Sequence, residues 1–303
     1  MRGFDSYLTF QKLEVFCTVV ELGSVTRAAA KLCVTQPVIT AHLRGMEARL
    51  GYALVKRSGR QLGLTDAGER VYRWASDVIT HTREIERELA GLEQGQSGRA
   101  TIAASMSIGS YALPPIIADF HHLHTDGLVT VQISSPPAAI DAIRIGSCDF
   151  AILLLDSDQN LDGLIAAPLW EEDLVLVAGR QSYWATQAPQ DIDLRNTPFV
   201  SAPRNVVRRE LEEKLLRQCG LDQRTVVLEF GHPEAMKYAV RQGIGLSFLL
   251  ESSVRDDVMR GELVVLNRPE LSIKVPCYLV HRANKYFSTF QAELIEFIRK
   301  TAW

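Results

Sequence analysis

The sequence has no long apolar run. Nowhere do about 20 apolar residues follow one another, the length that spans a bilayer, so no membrane partner is expected. Residues 1–23 carry scattered charges and no apolar stretch of leader length, so no secretory signal is read there. Cysteine is sparse, with Cys17, Cys33, Cys148, Cys219 and Cys277 widely spaced. They form neither a zinc pattern nor a disulfide framework, and a reducing cytoplasm is the compartment they fit. A Gly-x-Ser-x-Gly elbow, a His-Glu-x-x-His pair and a Walker loop are all missing. Gly243-Ile244-Gly245 lacks the third glycine of a dinucleotide fingerprint. His121, His122 and His124 stand at one helix end without an acidic or thiol partner at ligand spacing. No catalytic residue, metal or cofactor is therefore expected.

What is present is a chain of 303 residues, 47% hydrophobic and 23% charged, enough for two or three units with a sizeable core. Its net charge of −3 hides an asymmetry. Residues 1–64 carry +5, with nine Lys and Arg against four acids, and the remainder carries −8. A basic head on an acidic body fits nucleic-acid contact confined to the head.

The head is organised around residues 24–47. Ser24 is an N-cap, the alanines at 28–30 favour helix with little bulk, and Cys33-Val34 make a turn. Thr35 caps a second helix, with Pro37 in its first turn, where the missing N–H costs nothing. Val38, Ile39, Leu43 and Met46 are expected to face inward, leaving Gln36, Thr40, His42 and Arg44 on other faces. Helix pairs of this kind also occur in all-α domains without DNA. The segment after Gly51 favours DNA, because two strand-like runs around Ser58-Gly59 carry Lys56, Arg57 and Arg60, a basic wing. A preceding helix at 8–22 presents Phe10, Leu13, Phe16, Val19 and Val20 on one face. After the wing, Thr65 caps a helix at about 66–92. Its Val71, Ala75, Val78, Thr82, Ile85, Leu89 and Leu92 alternate spacings of 4 and 3, a heptad seam that packing on its own domain could cover but that the dense Arg and Glu between repeats assign to a homodimer. Residues 91–98 read as a glycine-rich hinge.

From residue 99 strands and helices alternate, the rhythm of an α/β domain. Strands are expected at 100–104, 129–133, 150–155, 174–178, 199–200, 226–230 and 275–280, a turn into a strand at 243–248, and helices at 111–122, 138–145, 207–218, 234–241, 253–260 and 287–299. Ligands of open α/β sheets bind at the carboxyl ends of strands, near helix N-termini. Four such places hold Ser105, Ser107 and Ile108; Ser134 and Ser135; Ser201 and Arg204; and His232 and Pro233. Hydroxyls, backbone N–H groups and one arginine would suit a small anion or carboxylate. Each serine has helix capping as its simpler role, and His232 reads more readily as a cap than as a pH sensor.

Residues 8–68 resemble the N-terminal domain of LysR-type transcriptional regulators. The matching residues include Gly23-Ser24-Val25-Thr26-Arg27-Ala28-Ala29, Leu32, Val34-Thr35-Gln36-Pro37, Thr40, Leu43, Met46-Glu47, Leu50-Gly51, Leu54-Val55, Arg57, Gly59-Arg60 and Leu64-Thr65-Asp66-Ala67-Gly68. Two departures are Ala41, where the family often has arginine, and Val55-Lys56 in place of Leu-Phe. Segments 107–120 and 234–249 look most like the branch controlling carbon-fixation and sulfur-assimilation genes. The resemblance implies an α/β protein with a winged helix-turn-helix over 1–65, a linker and dimerisation helix over 66–92 and a hinge at 93–98. An effector domain over 99–303, similar to a type 2 periplasmic binding protein, follows. Its first lobe takes about 99–170 and 272–303, and its second about 171–271. Double-stranded DNA would be contacted by Ser24, Thr26, Arg27, Thr35, Gln36, Pro37, Thr40, His42, Arg44, Lys56, Arg57 and Arg60. A homotetramer, and RNA polymerase as partner if the protein activates, also follow from the resemblance. The alternative is a DNA-binding regulator that needs no effector or answers to oxidants through its cysteines.

Overall fold

The computed structural model describes residues 8–58, 61–93, 98–155, 159–204, 206–221 and 223–301. For 57, 58, 61, 84, 87, 88, 90–93, 207, 208, 211 and 215 it describes the backbone alone. The chain divides into two compact units, one on residues 1–90 and one on 91–303 apart from 144–146.

The first unit contains α1 (Phe10–Leu22), α2 (Val25–Lys31), α3 (Gln36–Leu50), β1 (Val55–Ser58), β2 (Gln61–Leu64) and α4 (Asp66–Glu93). Leu13, Phe16 and Val19 of α1 pack with Ala28, Ala29, Ile39, Leu43, Met46 and Leu54 in one apolar core. Small alanines on α2 let three helices meet there. The turn between α2 and α3 places Cys33 at φ 54°, a left-handed conformation rare outside glycine. Ser24 caps α2 as expected, its Oγ accepting from the Arg27 N–H at 3.3 Å. Thr35 occupies the cap position of α3, but its hydroxyl makes no capping bond.

Two inward assignments fail. Val38 is 40% exposed and Phe10 37% exposed. Ile39, Leu43 and Met46 define the buried stripe of α3, and Val38 lies about 100° away from Ile39 around the helix. Phe10 is the first residue of α1, one turn before the core contact of Leu13. The wing strands pair antiparallel, with Val55 opposite Leu64. Glu47 ties them to α3, because its Oε1 accepts from the N–H groups of Leu54 at 2.8 Å and Val55 at 3.3 Å. Thr65 caps α4 by accepting from the Gly68 N–H at 2.9 Å.

The heptad seam of α4 divides. Val71, Ala75 and Val78 pack into the head core, whereas Ile85 and Leu89 are 54% and 55% exposed. The seam is thus open only beyond Thr82. Of the expected hinge, residues 94–97 lie outside the described residues.

The second unit begins with β3 (Gly98–Ala104), a π-helical turn (Ile108–Ala112), α5 (Leu113–Leu123), β4 (Gly127–Ile133), α6 (Pro136–Arg144) and β5 (Phe150–Leu154). It continues with β6 (Leu164–Gly179), β7 (Pro198–Ser201), α7 (Val207–Gln218), β8 (Thr225–Glu229), α8 (Pro233–Arg241) and β9 (Ser247–Leu250). It closes with α9 (Glu251–Met259), β10 (Leu263–Val265), β11 (Ile273–Arg282) and α10 (Thr289–Thr301). In the first lobe β3 lies parallel between β4 and β5, and β5 pairs antiparallel with β11. In the second, β7 and β8 run parallel, and the Phe199–Leu246 bridge joins β7 to the segment leading into β9.

The strand expected at 174–178 is one part of the 16-residue β6. Pro168 and the acidic run Glu171-Glu172-Asp173 masked its first half. β6 pairs with β11 along 164–174 and carries β9 and β10 on its later residues, so it runs through both lobes. β11 shifts register at Cys277/Tyr278, within this shared pair. β10 was not foreseen at all. A Cβ on Gly245 would come within 2.4 Å of the Pro198 carbonyl oxygen. This glycine therefore serves a close backbone pass and not a phosphate loop.

Candidate DNA-binding face and effector cleft

On the head, Thr26, Arg27, Thr35, Gln36, Pro37 and Arg44 are exposed, while Ser24, Thr40 and His42 are half-buried. At about 100° per residue, the face opposite the buried stripe of α3 holds Pro37, Ala41 and Arg44, with Ala41 near its middle. Ala41, a departure from the resemblance, thus sits at the centre of the outward surface. The Thr40 hydroxyl donates to the Gln36 carbonyl at 3.0 Å. Arg27 donates through Nη2 to the Leu22 carbonyl at the end of α1. Lys56 on β1 is exposed; the Arg57 side chain and Arg60 lie outside the described residues. Val38 joins this surface unforeseen, because an apolar residue in a helical repeat is read as core. An exposed methyl-bearing side chain there suits the thymine methyl group.

In the second unit the candidate ligand residues follow strand ends. Ser105 is buried, and its Oγ accepts from the Leu154 N–H at 3.1 Å. Its carbonyl accepts from the Gly109 N–H at 2.8 Å, so the amides of 106–108 precede the first bonded turn. Ser107 is buried, and Ile108 is fully buried in the main apolar core, leaving only its backbone available. The Oγ atoms of Ser134 and Ser201 are buried without a hydrogen-bond partner among the described residues, and Ser135 is exposed. His232 caps α8, its Nδ1 accepting from the Glu234 N–H at 3.2 Å, and Pro233 is buried behind it. Arg204 is exposed and lines a cavity beside α7.

The two lobes meet through residues that sequence reasoning missed. The Tyr111 hydroxyl, on the π-helical turn, donates to Glu234 Oε1 on α8 at 2.8 Å. Lys237 Nζ lies 2.7 Å from Glu234 Oε1 and 2.7 Å from Asp257 Oδ2, and it donates to the Ser253 carbonyl at 2.9 Å. Its ammonium also stands 4.8 Å from the Tyr111 ring centroid, a cation–π distance. This cluster brings the 105–111 segment against the 232–237 segment. Burial and the bond to Glu234 push the Tyr111 phenol well above its ordinary range. Burial works to raise the carboxyls of Glu234 and Asp257, but the bond and charge of Lys237 outweigh it and hold both low. Tyr111 and Glu234 are 123 positions apart, so no local pattern announces the pair. A double-mutant cycle of Tyr111→Phe and Glu234→Gln is expected to show a coupling of about 1.5 kcal/mol in thermal unfolding. Additive effects would mean that the bond does not form in solution.

Two thiols are unsuited to redox sensing. Burial, with Glu21 adding to it, pushes Cys17 up to about 12. Burial, with Glu172 adding to it, raises Cys277 as well. Both stay protonated and unreactive near neutral pH. No helix among the described residues is long and apolar enough to cross a membrane.

Comparison with known proteins adds the following. Residues 10–69 match the family described as bacterial regulatory helix-turn-helix protein, lysR family, and residues 93–303 match the LysR substrate binding domain. The chain is 27% identical over 273 residues to the HTH-type transcriptional regulator CysL of Bacillus subtilis, covering 90% of each chain. It is 28% identical over 288 residues to a probable RuBisCO transcriptional regulator of Cyanidioschyzon merolae, covering 94% of this chain and 95% of the other. The crystal structure of ArgP from Mycobacterium tuberculosis superposes with a TM-score of 0.65 at 23% identity, covering 99% of this chain and 98% of that one.

Proposed function

The chain belongs to the LysR family of transcriptional regulators, and we propose that its switch is a small anion held between the two lobes of the second unit. As a member of that family it is a DNA-binding regulator with an effector domain, and it is not an enzyme. The observation that carries the ligand class is that, of the buried serine hydroxyls without a partner among the described residues, Ser134 Oγ and Ser201 Oγ stand at strand ends expected to bind ligand. Each stands at the carboxyl end of a parallel strand, Ser134 just past β4 and Ser201 as the last residue of β7. Buried polar groups without a partner are rare and call for a bound water or ligand. In this reading Ser105, Ser107, the Ile108 amide, Ser135, His232 and Pro233 shape the rest of the site. The helix starts at 106 and 233 favour negative charge. Arg204 is left to the cavity described below. Closure on the anion would alter lobe packing and so the spacing of the heads, which requires the two states to differ in affinity for it.

The test is a thermal-shift screen of the full chain against small carboxylates and inorganic oxyanions. A ligand that binds only the folded state raises the melting temperature with its occupancy. A hit that disappears in the Ser134→Ala, Ser201→Ala double variant is the expected result. A hit indifferent to that change, or hits among uncharged aromatics only, would move the site or the ligand class elsewhere.

For DNA, Gln36, Pro37, Thr40, His42 and Arg44 are assigned to base edges or the adjacent backbone in the major groove. Ser24, Thr26, Arg27, Thr35, Lys56, Arg57 and Arg60 are assigned to phosphates or the minor groove. Gln36→Ala should cost about 1–3 kcal/mol of discrimination at one base position. Lys56→Ala should weaken binding at every site and lower the salt slope by about one. Anisotropy titrations over a salt series separate the two patterns. The open half of the α4 seam, Ile85 and Leu89, supports a homodimer through 66–92, and sedimentation velocity would show whether dimers pair into a tetramer. We place the protein in the cytoplasm, with RNA polymerase as partner if it activates.

A further inference from the structure

Beside α7 lies a cavity of about 340 Å³, separate from the Tyr111–Glu234 contact between the lobes. Four arginines, Arg204, Arg209, Arg217 and Arg224, line it, with the buried Leu216 and Leu221 behind them. Arg209, Glu213, Leu216 and Arg217 follow one another at spacings of 4, 3 and 1, so α7 turns a single face toward the cavity. The two carboxylates on α7 near these cations are already engaged. Glu213 Oε1 lies 2.6 Å from Arg209 Nε, and Glu212 Oε1 lies 2.7 Å from Arg224 Nη1. The Arg209 Nη1 group donates to the Ala202 carbonyl at 3.2 Å. Asn205 and Asp222, neighbours in sequence, lie outside the described residues.

Arg224 carries the argument further. Its side chain is only 5% exposed, and its guanidinium carbon sits 5.3 Å and 5.5 Å from the ring centroids of Phe199 and Phe248. Its Nη2 is buried with no hydrogen-bond partner among the described residues. The Glu212 carboxylate meets the charge through Nη1, so it is the second N–H group that remains to bind an anion or water. The local field agrees. Burial works to raise the Glu213 carboxyl, yet the bond from Arg209 and the charges of Arg209, Arg224 and Arg204 hold it below the usual carboxylate range. Arginine forks match planar or tetrahedral oxyanions through paired N–H bonds.

We propose that this cavity is a second anion site, taking a small phosphate or carboxylate group. It is distinct from the effector cleft and does not depend on the reading of that cleft. A ligand here bears on α7 and, through Arg224 against the Phe199 ring, reaches β7, the strand that ends in Ser201.

The experiment titrates inorganic phosphate into the full chain at constant ionic strength and follows its phosphorus-31 linewidth, with chloride as the balancing salt. Wild-type protein is expected to broaden the line saturably at millimolar phosphate. Arg204→Gln with Arg217→Gln, both exposed and so safe for folding, should weaken that binding about tenfold or more, the loss expected for two charge-assisted contacts. Far-UV circular dichroism confirms the fold of the variant. Ser134→Ala with Ser201→Ala should leave the broadening in place. Broadening that survives the arginine changes but vanishes with the serine changes would put phosphate in the effector cleft and overturn the proposal. Absence of saturable broadening in the wild-type chain would overturn it too.

Discussion

Gly68→Ala is expected to abolish tight DNA binding while leaving the second unit folded. Gly68 sits in the first turn of α4, against the base of the wing. A Cβ there would stand 1.9 Å from the Leu54 carbonyl oxygen and 2.9 Å from its carbon. Those are backbone atoms, and that carbonyl also accepts from the Thr65 N–H at 3.0 Å and the Thr65 hydroxyl at 3.3 Å. Leu54 is fully buried, so its segment has nowhere to retreat. Overpacking against backbone costs about 3 kcal/mol, a large part of the stability of a unit this small. The wing and α3 would lose their fixed relation. The measurement is anisotropy on a duplex at low salt, together with calorimetry of the full chain. Unchanged affinity and an unchanged melting profile would show that α4 can shift without consequence.

Lys237→Met is the second large effect, and it falls on the other unit. The Lys237 and Asp257 side chains are only 4% and 1% exposed. Removing the ammonium leaves a buried carboxylate with Arg241 at 2.8 Å and Arg260 at 3.4 Å, so part of its compensation survives. The expected cost is about 2–3 kcal/mol, or roughly 8 °C in melting temperature for a unit of this size. The pH dependence gives a second readout. Burial raises the Asp257 carboxyl, but Lys237, Arg241 and Arg260 outweigh it, so its folded pKa is lowered. A lowered folded pKa contributes stability above the unfolded value, about 4. That contribution is lost as pH falls toward the folded value. The wild type should therefore lose stability steeply below pH about 4, and Lys237→Met should start lower and lose less. Parallel pH profiles for the two proteins would mean that Lys237 does not set the Asp257 titration.

The head was legible because its signals are local. Ser24, Pro37, Gly51 and Thr65 mark helix ends within a few residues of the bonds they serve, and the wing follows from two short runs around one turn. The same locality produced the errors. Val38 is apolar and in helical register, and only the packing of α1 and α2 on the other side of α3 decides that it faces out. The α4 heptad reads as one uniform seam, yet its first half is consumed by the head core.

By itself, then, the sequence determined the family, the element order apart from β10 and the length of β6, and the type of residue offered at each strand end, because caps, turns and periodicity act over a few residues. Tertiary structure alone decided three further things. It showed that β6 runs unbroken through both lobes. It brought Tyr111 to Glu234 and Lys237 across more than a hundred residues. It grouped Arg204 with Arg209, Arg217 and Arg224 along α7. The first two depend on which distant segments are packed together, and the third on which charges packing removes from water; neither is encoded in any short window of residues.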